Sequence, residues 1–171
     1  NAGGTTGMAL ALLGIKALLL EDAPDSDDWQ VLIVNKDGVR FESAADLVGK
    51  GWYETSRCLL ERYGKKAAVS LIGPGGEMQL HTAGITNVDK DQVPSRINAR
   101  GGLGAVMGSK KVKAIVWDTT GCEKPVIADV EAYRQAQKLL NQAVLAQPQT
   151  SIYHDLGTAG ANTNVLIDGT A

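Results

Sequence analysis

The segment RINARGGLGAVMGSKKVKAIVW, residues 96–117, carries the strongest structural signals in the chain. Its paired glycines, Gly101 and Gly102, predict a tight turn, and the small residues after them predict a short helix. The apolar run Val112–Trp117 predicts a buried strand. Glycine turn, short helix and strand therefore follow one another as one supersecondary unit.

The beginning of the chain repeats this order. Gly3 and Gly4 precede the apolar segment Gly7–Leu13, which predicts a buried helix. Gly14 lies where a helix end favours a residue with positive φ, and Lys16–Glu21 predicts a short apolar strand. Two copies of one unit often face each other across a pseudo-twofold axis, so the two glycine turns could converge on one ligand. The alternative is a chance similarity between two glycine-rich helices.

The other segments predict further strands and helices. A turn at Asn35–Gly38 joins two stretches of strand-like sequence, Trp29–Val34 and Val39–Glu42, and predicts a hairpin. The remaining predictions are a helix at Trp52–Tyr63, a strand at Ala67–Ile72, a turn at Gly73–Gly76, a returning strand at Met78–Ala83, a loop at Asp89–Arg100, an amphipathic helix at Ala128–Ala146 with Asp129 as its cap, and further helix within residues 151–171.

Composition excludes several classes of protein. With 171 residues, 17 basic and 19 acidic side chains, the chain has room for one domain or slightly more, and it lacks the positive charge of a nucleic-acid-binding protein. Its longest apolar run, Met8–Leu20, contains a glycine and a lysine and is shorter than the roughly 20 residues of a membrane-spanning helix. Cys58 and Cys122 form no CxxC motif, so we expect a reducing, cytoplasmic setting. Because the chain starts at Asn1 and ends in a turn-like sequence, we expect a piece of a longer protein.

Two arginines precede the second glycine turn. Arg96 and Arg100 come just before Gly101 and Gly102. Glycines let a ligand approach the backbone closely, free N–H groups bind anions, and arginines donate paired hydrogen bonds, so the pattern predicts an anion site. The alternative is that the glycines only permit close packing and the arginines are solvated. Nucleotide motifs are excluded, because the glycine spacing fits neither a dinucleotide fingerprint nor a P-loop and no buried strand precedes the turn.

The histidines give weaker signals. His81 alternates with apolar residues and is predicted on a strand in a structural role. His154 precedes Asp155, but adjacent residues on a helix point in different directions. The sequence contains no pattern typical of a catalytic triad, a zinc site or a nucleophile elbow.

Residues 100–115, RGGLGAVMGSKKVKAI, resemble the aldehyde ferredoxin oxidoreductase family of tungsten- or molybdenum-dependent pterin enzymes. Further matching segments follow the family's order: Asn1–Gly4, Ser70–Glu77, Pro125–Asp129 and Leu156–Ala159. The resemblance covers essentially the whole chain and implies an α+β fold, with an antiparallel or mixed sheet that is half of a duplicated β-and-helix N-terminal domain. It assigns residues 1–122 to the second half of that domain and residues 123–171 to the start of an all-helical domain.

The resemblance also implies a set of cofactor-binding residues. Family members hold the metal between two molybdopterin dithiolenes on a floor built by the N-terminal domain. By motif position, one pterin lies at Asn1 and Gly3, and the other at Arg96, Ile97, Ala99 and Arg100. The backbone carbonyls of Asn1 and Ile97 are candidate ligands for a magnesium ion that bridges the pterin phosphates. No residue of this chain is assigned as a catalytic acid or base.

For the whole protein, the resemblance implies oxidation of an aldehyde to a carboxylic acid, with electrons passing through a [4Fe–4S] cluster to ferredoxin, and a homodimer as one assembly. The family's cluster cysteines are absent from this chain, and residues 95–99 differ from the family's His-Arg-Ala-Ala-Gly. We therefore expect the isolated chain to be inactive. Two alternatives stay open: a free-standing pterin- or anion-binding module, and a structural or interaction domain without a cofactor.

Overall fold

The computed structural model describes residues 3–124 and 126–160. The chain divides into two compact units, Asn1–Pro125 and Val126–Ala171. The assignment of residues 1–122 and 123–171 to two family domains stays a prediction. None of the helices in the described ranges is long and apolar enough to span a membrane.

The first unit is an α+β structure, as predicted. Its elements are α1 (Thr6–Leu12), β1 (Gln30–Asn35), β2 (Gly38–Ser43), a 3₁₀ turn (Ala45–Leu47), α2 (Trp52–Tyr63), β3 (Ala68–Leu71), α3 (Pro74–Glu77), β4 (Ile85–Asn87), β5 (Arg96–Asn98), α4 (Leu103–Ser109) and β6 (Val112–Trp117).

One mixed sheet connects all six of these strands. Their order is β2-β1-β6-β3-β4-β5. The pair β1–β6 is parallel and the other pairs are antiparallel. The predicted hairpin is confirmed as β1–β2, with Asn35 opposite Gly38 at the turn. Strand β5 lies at one edge of the sheet, and two of the residues predicted to bind the cofactor, Arg96 and Ile97, therefore lie at that edge.

Helices cover both faces of the sheet. In β1, Val31 and Ile33 belong to one apolar cluster with Leu59 of α2. Leu32 belongs to a second cluster, which includes Met107 of α4 and Ala9 of α1. Because successive side chains of a strand point to opposite faces, α2 packs on one face and α1 and α4 on the other. The two short helices of the predicted repeat thus share one face.

Three glycines bring α3 and α4 into backbone contact. A Cβ atom added at Gly108 would overlap the carbonyl oxygen of Gly76, and one added at Gly76 would lie 3.0 Å from the carbonyl oxygen of Gly104. A Cβ at Gly104 would lie 2.5 Å from the carbonyl oxygen of Gly84. These positions admit no larger residue unless the backbone moves.

Three sequence-based predictions were wrong. Lys16–Glu21 is not a strand, because it pairs with no strand of the sheet and instead packs Leu18 and Leu20 against the apolar cluster on one sheet face. Met78–Ala83 is not a returning strand, because Gln79 has a φ of 55° and the chain turns there, so β4 starts only at Ile85. The predicted loop Asp89–Arg100 contains β5, a short edge strand paired with β4.

The second unit consists of α5 (Val130–Leu145), α6 (Pro148–Leu156) and a 3₁₀ turn at Gly157–Ala159. The predicted cap is confirmed, since the Ala132 N–H donates to the Asp129 carboxylate at 2.9 Å. The apolar stripe predicted on α5 is largely exposed in the described residues; Leu140, for example, is 63% exposed. The helical turn predicted around residues 162–167 lies outside the described residues.

Candidate cofactor-binding site

The glycines in and after the turn between β5 and α4 have different surroundings. Gly101 and Gly102 have φ values of 82° and 65°, which favour glycine. A Cβ at Gly102 would lie 2.7 Å from the His81 carbonyl oxygen, whereas one at Gly101 would meet no atom within 4 Å. The packing interpretation therefore accounts for Gly104 and Gly108, while Gly101 presents its backbone to open space.

The same turn exposes hydrogen-bond donors. Within the part of the chain that the structure describes, the N–H groups of Gly101, Gly102 and Leu103 donate to no protein acceptor. The next N–H group, that of Gly104, donates to the Ala83 carbonyl at 2.9 Å. Successive free N–H groups in a turn with positive φ form a concave surface suited to an anion.

Arg100 directly precedes this surface, and Arg96 lies further back in β5. Arg96 and Arg100 are exposed, one in β5 and the other directly before Gly101. The first glycine turn packs against Arg96, since a Cβ at Gly3 would lie 3.2 Å from the Arg96 Cδ atom. Gly4, with a φ of 97°, lies against the Val88 carbonyl oxygen. The structure therefore brings Gly3 next to Arg96, although the resemblance assigned them to different pterins.

A buried amide anchors the backbone of Arg96. Asn87 is only 3% exposed, and its Nδ2 group donates to the Arg96 carbonyl at 2.9 Å. Its Oδ1 atom accepts from the Ser70 hydroxyl at 2.7 Å and from the Thr6 hydroxyl at 3.2 Å. Side chains from α1 and β3 thus hold β5 in place through one residue of β4, which makes Arg96 a fixed part of the edge.

The loop before β5 is held by Asp89. The carboxylate of Asp89 accepts from the Ser95 hydroxyl at 2.7 Å and from the Val93 N–H at 3.0 Å. It also accepts from the Asp91 N–H at 2.9 Å. The hydrogen bond from Ser95 is the main cause that lowers the pKa of Asp89, followed by the one from Val93. The ionised carboxylate therefore stabilises the approach to Arg96.

Acid should release this loop. Because the folded pKa of Asp89 is lowered, its contribution is complete above the ordinary aspartate pKa of about 4 and is lost as the pH falls through the lower folded value. We expect the amide chemical shifts of Ser95 and Arg96 to stay constant between about pH 7 and pH 4 and to move below that. Nuclear magnetic resonance titration measures this. Asp89→Asn should abolish the transition and Asp37→Asn should keep it; an unchanged transition in Asp89→Asn contradicts the assignment.

Two cavities meet at Ile97 and Ala99. One, of about 460 Å³, is also lined by Trp52, by Gly73 and by the start of α3. The other, of about 400 Å³, is also lined by Arg100. The mainly apolar first cavity thus adjoins the arginine-bearing second one along the end of β5.

These residues fit the anionic part of a phosphate-bearing cofactor. The open backbone at Gly101, the free N–H groups and the two arginines supply donors and positive charge. In addition, the Asn98 Oδ1 atom is buried and has no hydrogen-bond partner among the described residues. Buried polar atoms of this kind are normally satisfied, so this oxygen has capacity for a donor from a ligand or water.

The structure does not test the predicted magnesium ligands. Asn1 lies outside the described residues, and Ile97 is 40% exposed at the edge strand. The described ranges contain no group of three or more His, Cys, Asp or Glu side chains suited to a metal. A magnesium site at Asn1 and Ile97 would use backbone carbonyls and phosphate oxygens instead, and it stays a prediction.

His81 meets the second glycine turn through its backbone, because its carbonyl oxygen lies against Gly102. His81 is in an exposed turn rather than on a strand, because the chain reverses between Gln79 and Ala83. In the second unit, His154 Nδ1 and Asp155 Oδ1 are 2.8 Å apart, but both side chains are exposed. Among the described residues, neither histidine belongs to a group of side chains suited to a metal.

The sequence analysis missed a buried ion pair. Lys113 of β6 is completely buried and pairs with Glu77 of α3, and burial lowers the pKa of Lys113 while the pairing with Glu77 opposes this. The signal was present in the sequence, since Lys113 is a charged residue inside the apolar run Val112–Trp117. A lysine in such a run must be paired if the strand is buried on both faces.

The family model and the curated relatives agree on one family. A family model described as "Aldehyde ferredoxin oxidoreductase, N-terminal domain" matches residues 1–119. The tungsten-containing aldehyde ferredoxin oxidoreductase of Pyrococcus horikoshii is 35% identical over 130 residues, which are 75% of this chain and 20% of the relative. The enzyme of the same name from Pyrococcus furiosus is 30% identical over 150 residues, or 84% of this chain and 23% of the relative. The chain thus spans about a fifth of the length of these curated relatives.

A solved structure shares the fold. It is the active site complex of benzoyl coenzyme A reductase in complex with 1,5-dienoyl-CoA, with a TM-score of 0.74 and 27% identity. The match covers 86% of this chain and 21% of that chain.

Proposed function

The chain belongs to the aldehyde ferredoxin oxidoreductase family, and from this premise we propose that its β5–α4 edge forms part of the floor that binds a tungsten or molybdenum bis-pterin. The observation that carries the proposal is the turn at Gly101 and Gly102, whose free N–H groups and open backbone at Gly101 directly follow the exposed Arg100 and come five residues after the exposed Arg96. An anionic ligand is the partner that such a surface binds best.

Each residue has a proposed part in holding the cofactor. Arg96 and Arg100 donate hydrogen bonds to phosphate oxygens, and the N–H groups of the Gly101–Gly102 turn donate to the same anionic group; together these donors form the anion cradle. Ile97 and Ala99 form its apolar side and limit access of water, and the Ile97 carbonyl, with that of Asn1, binds the bridging magnesium ion. Gly3 supports Arg96 through the close contact already described.

The proposed reaction of the whole protein is oxidation of an aldehyde. The aldehyde and one water give the carboxylic acid, two protons and two electrons. When bound, the metal bis-pterin supplies the redox chemistry of this oxidation, and its electrons leave through a [4Fe–4S] cluster to ferredoxin. The role of the present chain is to bind and orient the cofactor, and as an isolated polypeptide it is proposed to be inactive.

A second candidate reaction has one observation in its favour. The matched solved structure is a reductase complex containing a dienoyl coenzyme A thioester, so reduction of an aromatic acyl coenzyme A is the rival activity. The curated relatives favour aldehyde oxidation, because the P. horikoshii aldehyde oxidoreductase is 35% identical to this chain against 27% for the reductase.

Metal analysis tests the proposal. We expect mass spectrometry of the whole protein, purified without oxygen, to find about one tungsten or molybdenum per chain, and to find none in residues 1–171 purified alone. The loaded protein should reduce a viologen dye with an aldehyde as electron donor. It should not oxidise the dye when given benzoyl coenzyme A.

The alternatives give different results. Metal-pterin bound by residues 1–171 alone would indicate a free-standing binding module. A whole protein that is folded but contains neither metal would indicate a structural domain, and activity with benzoyl coenzyme A alone would indicate the reductase.

A further inference from the structure

The buried ion pair of Lys113 and Glu77 ties three parts of the chain together. Lys113 Nζ pairs with Glu77 Oε1 and also donates to the Lys50 carbonyl at 2.9 Å. The Glu77 carboxylate accepts from the Gly49 N–H, at 2.9 Å to Oε2 and 3.1 Å to Oε1. The Lys113 side chain is 0% exposed and that of Glu77 is 10% exposed. One buried pair therefore connects β6, α3 and the segment before α2.

A break in the sheet register lies at Lys113. Gln30 of β1 is opposite Val112 of β6, but the next residue, Val31, is opposite Ala114. Lys113 is thus the extra residue of a β-bulge. Bulges alter the direction of a side chain and are frequent beside functional sites. The bulge gives Lys113 a position that regular strand alternation would not.

Both segments that the pair holds also line the larger cavity. The segment Gly49–Trp52 contributes Gly51 and Trp52, and the first three residues of α3 line the cavity while Glu77 is its last residue. Ile97 and Ala99 line the same cavity. A Cβ at Gly73 would lie 2.9 Å from the Trp52 Nε1 atom, so these two walls are also in close contact with each other.

We propose that Lys113 is a positioning residue, which acts with Glu77 to fix the Gly49–Trp52 segment as a wall of the cavity beside the cofactor-binding edge. The expectation that loss of this wall weakens cofactor binding rests on the proposed function. The fixing of the segment itself is independent of any cofactor. Lys113 touches no reacting group in this scheme and acts only through Lys50 and Glu77.

A double substitution separates positioning from general stability. Lys113→Met or Glu77→Met alone leaves an unpaired buried charge and should lower the unfolding midpoint of the whole protein strongly. Lys113→Met with Glu77→Met removes both charges, and its midpoint should return to within about 5 °C of the wild type. In this double variant we still expect hydrogen exchange of residues 49–52 to be about tenfold faster, measured by mass spectrometry. Tungsten or molybdenum content should fall about tenfold.

Two further variants act as controls. Lys90→Met breaks an exposed ion pair with Asp91 and should change neither exchange nor metal content. Lys113→Met with Glu77→Gln keeps an amide oxygen for the Gly49 N–H, so exchange at Gly49 should lie between that of the wild type and the double methionine variant.

Several results would overturn the proposal. One is unchanged exchange at residues 49–52 in the double variants; another is a double variant as unstable as the single ones, which makes the pair ordinary structural support. Faster exchange with full metal content would show that the wall does not position the cofactor. A wild-type protein without metal would contradict the proposed function and the expected effect of the wall on cofactor binding. The exchange data would still decide whether the ion pair fixes the segment.

Discussion

Gly108→Ala is expected to lower the free energy of unfolding by about 3 kcal/mol or more. The added methyl group overlaps the carbonyl oxygen of Gly76, and that atom is backbone, which has no rotamer with which to move away. Helix α4 has little freedom to shift, because the Gly104 N–H donates to the Ala83 carbonyl at 2.9 Å. Equilibrium unfolding of the chain in urea measures the change.

Gly7→Ala provides the matched control. Gly7 lies inside α1, and a Cβ there would meet no atom within 4 Å. In that open helical position alanine should leave the free energy of unfolding unchanged or raise it by up to about 1 kcal/mol. Equal effects of the two substitutions would contradict the close packing of α3 on α4.

Sequence periodicity predicted those elements whose own residues specify them. Helix α2 has the predicted bounds, and the Val112–Trp117 strand is confirmed, because apolar spacing and glycine ends are local properties. The prediction for Lys16–Glu21 failed because its apolar residues suit a strand, but they are used in packing on the sheet face instead of in strand pairing. Strand β5 was missed because its three residues include two polar side chains and are largely exposed, so they become a strand only through pairing with β4.

The predicted repeat is half confirmed. Both copies have a glycine turn followed by a seven-residue helix, α1 and α4, and both helices cover the same face of the sheet. Only the second copy continues into a strand. Gly3 contacts Arg96, whereas Gly102 contacts the His81 carbonyl, and the convergence of the two glycine turns on one ligand stays a prediction.

The composition of the candidate site was more predictable than its construction. Arginines beside glycines indicate an anion from chemistry alone. The sequence could not divide the glycines into packing positions and open positions, because that division depends on Gly76 and Gly84 contacting α4 from distant parts of the chain. For the same reason the roles of Asn87 and Lys113 could not be predicted, since their partners are brought together only by the folded sheet.

Arg100→Gln is expected to reduce the tungsten or molybdenum content of the anaerobically purified whole protein by about tenfold to a hundredfold. Arg100 is exposed and adjoins the open backbone of Gly101, so under the proposed function its guanidinium donates to a phosphate. Loss of a charge-assisted hydrogen bond costs about 1.5–3 kcal/mol, which corresponds to that range. Stability should change by less than about 0.5 kcal/mol, as is usual at exposed positions.

Two further variants serve as controls for this prediction. Arg57→Gln removes the same exposed side chain from α2, on the opposite face of the sheet from α4, and should leave the metal content unchanged. Arg100→Lys keeps the charge but not the paired donors, so we expect a content between those of the glutamine variant and the wild type. If Arg100→Gln kept its full metal content and an unchanged unfolding midpoint, Arg100 would not bind the cofactor. The second glycine turn would then serve packing only. An equal loss in Arg57→Gln would instead indicate a general effect of surface charge, because only a site-specific contact distinguishes two exposed arginines of the same chain.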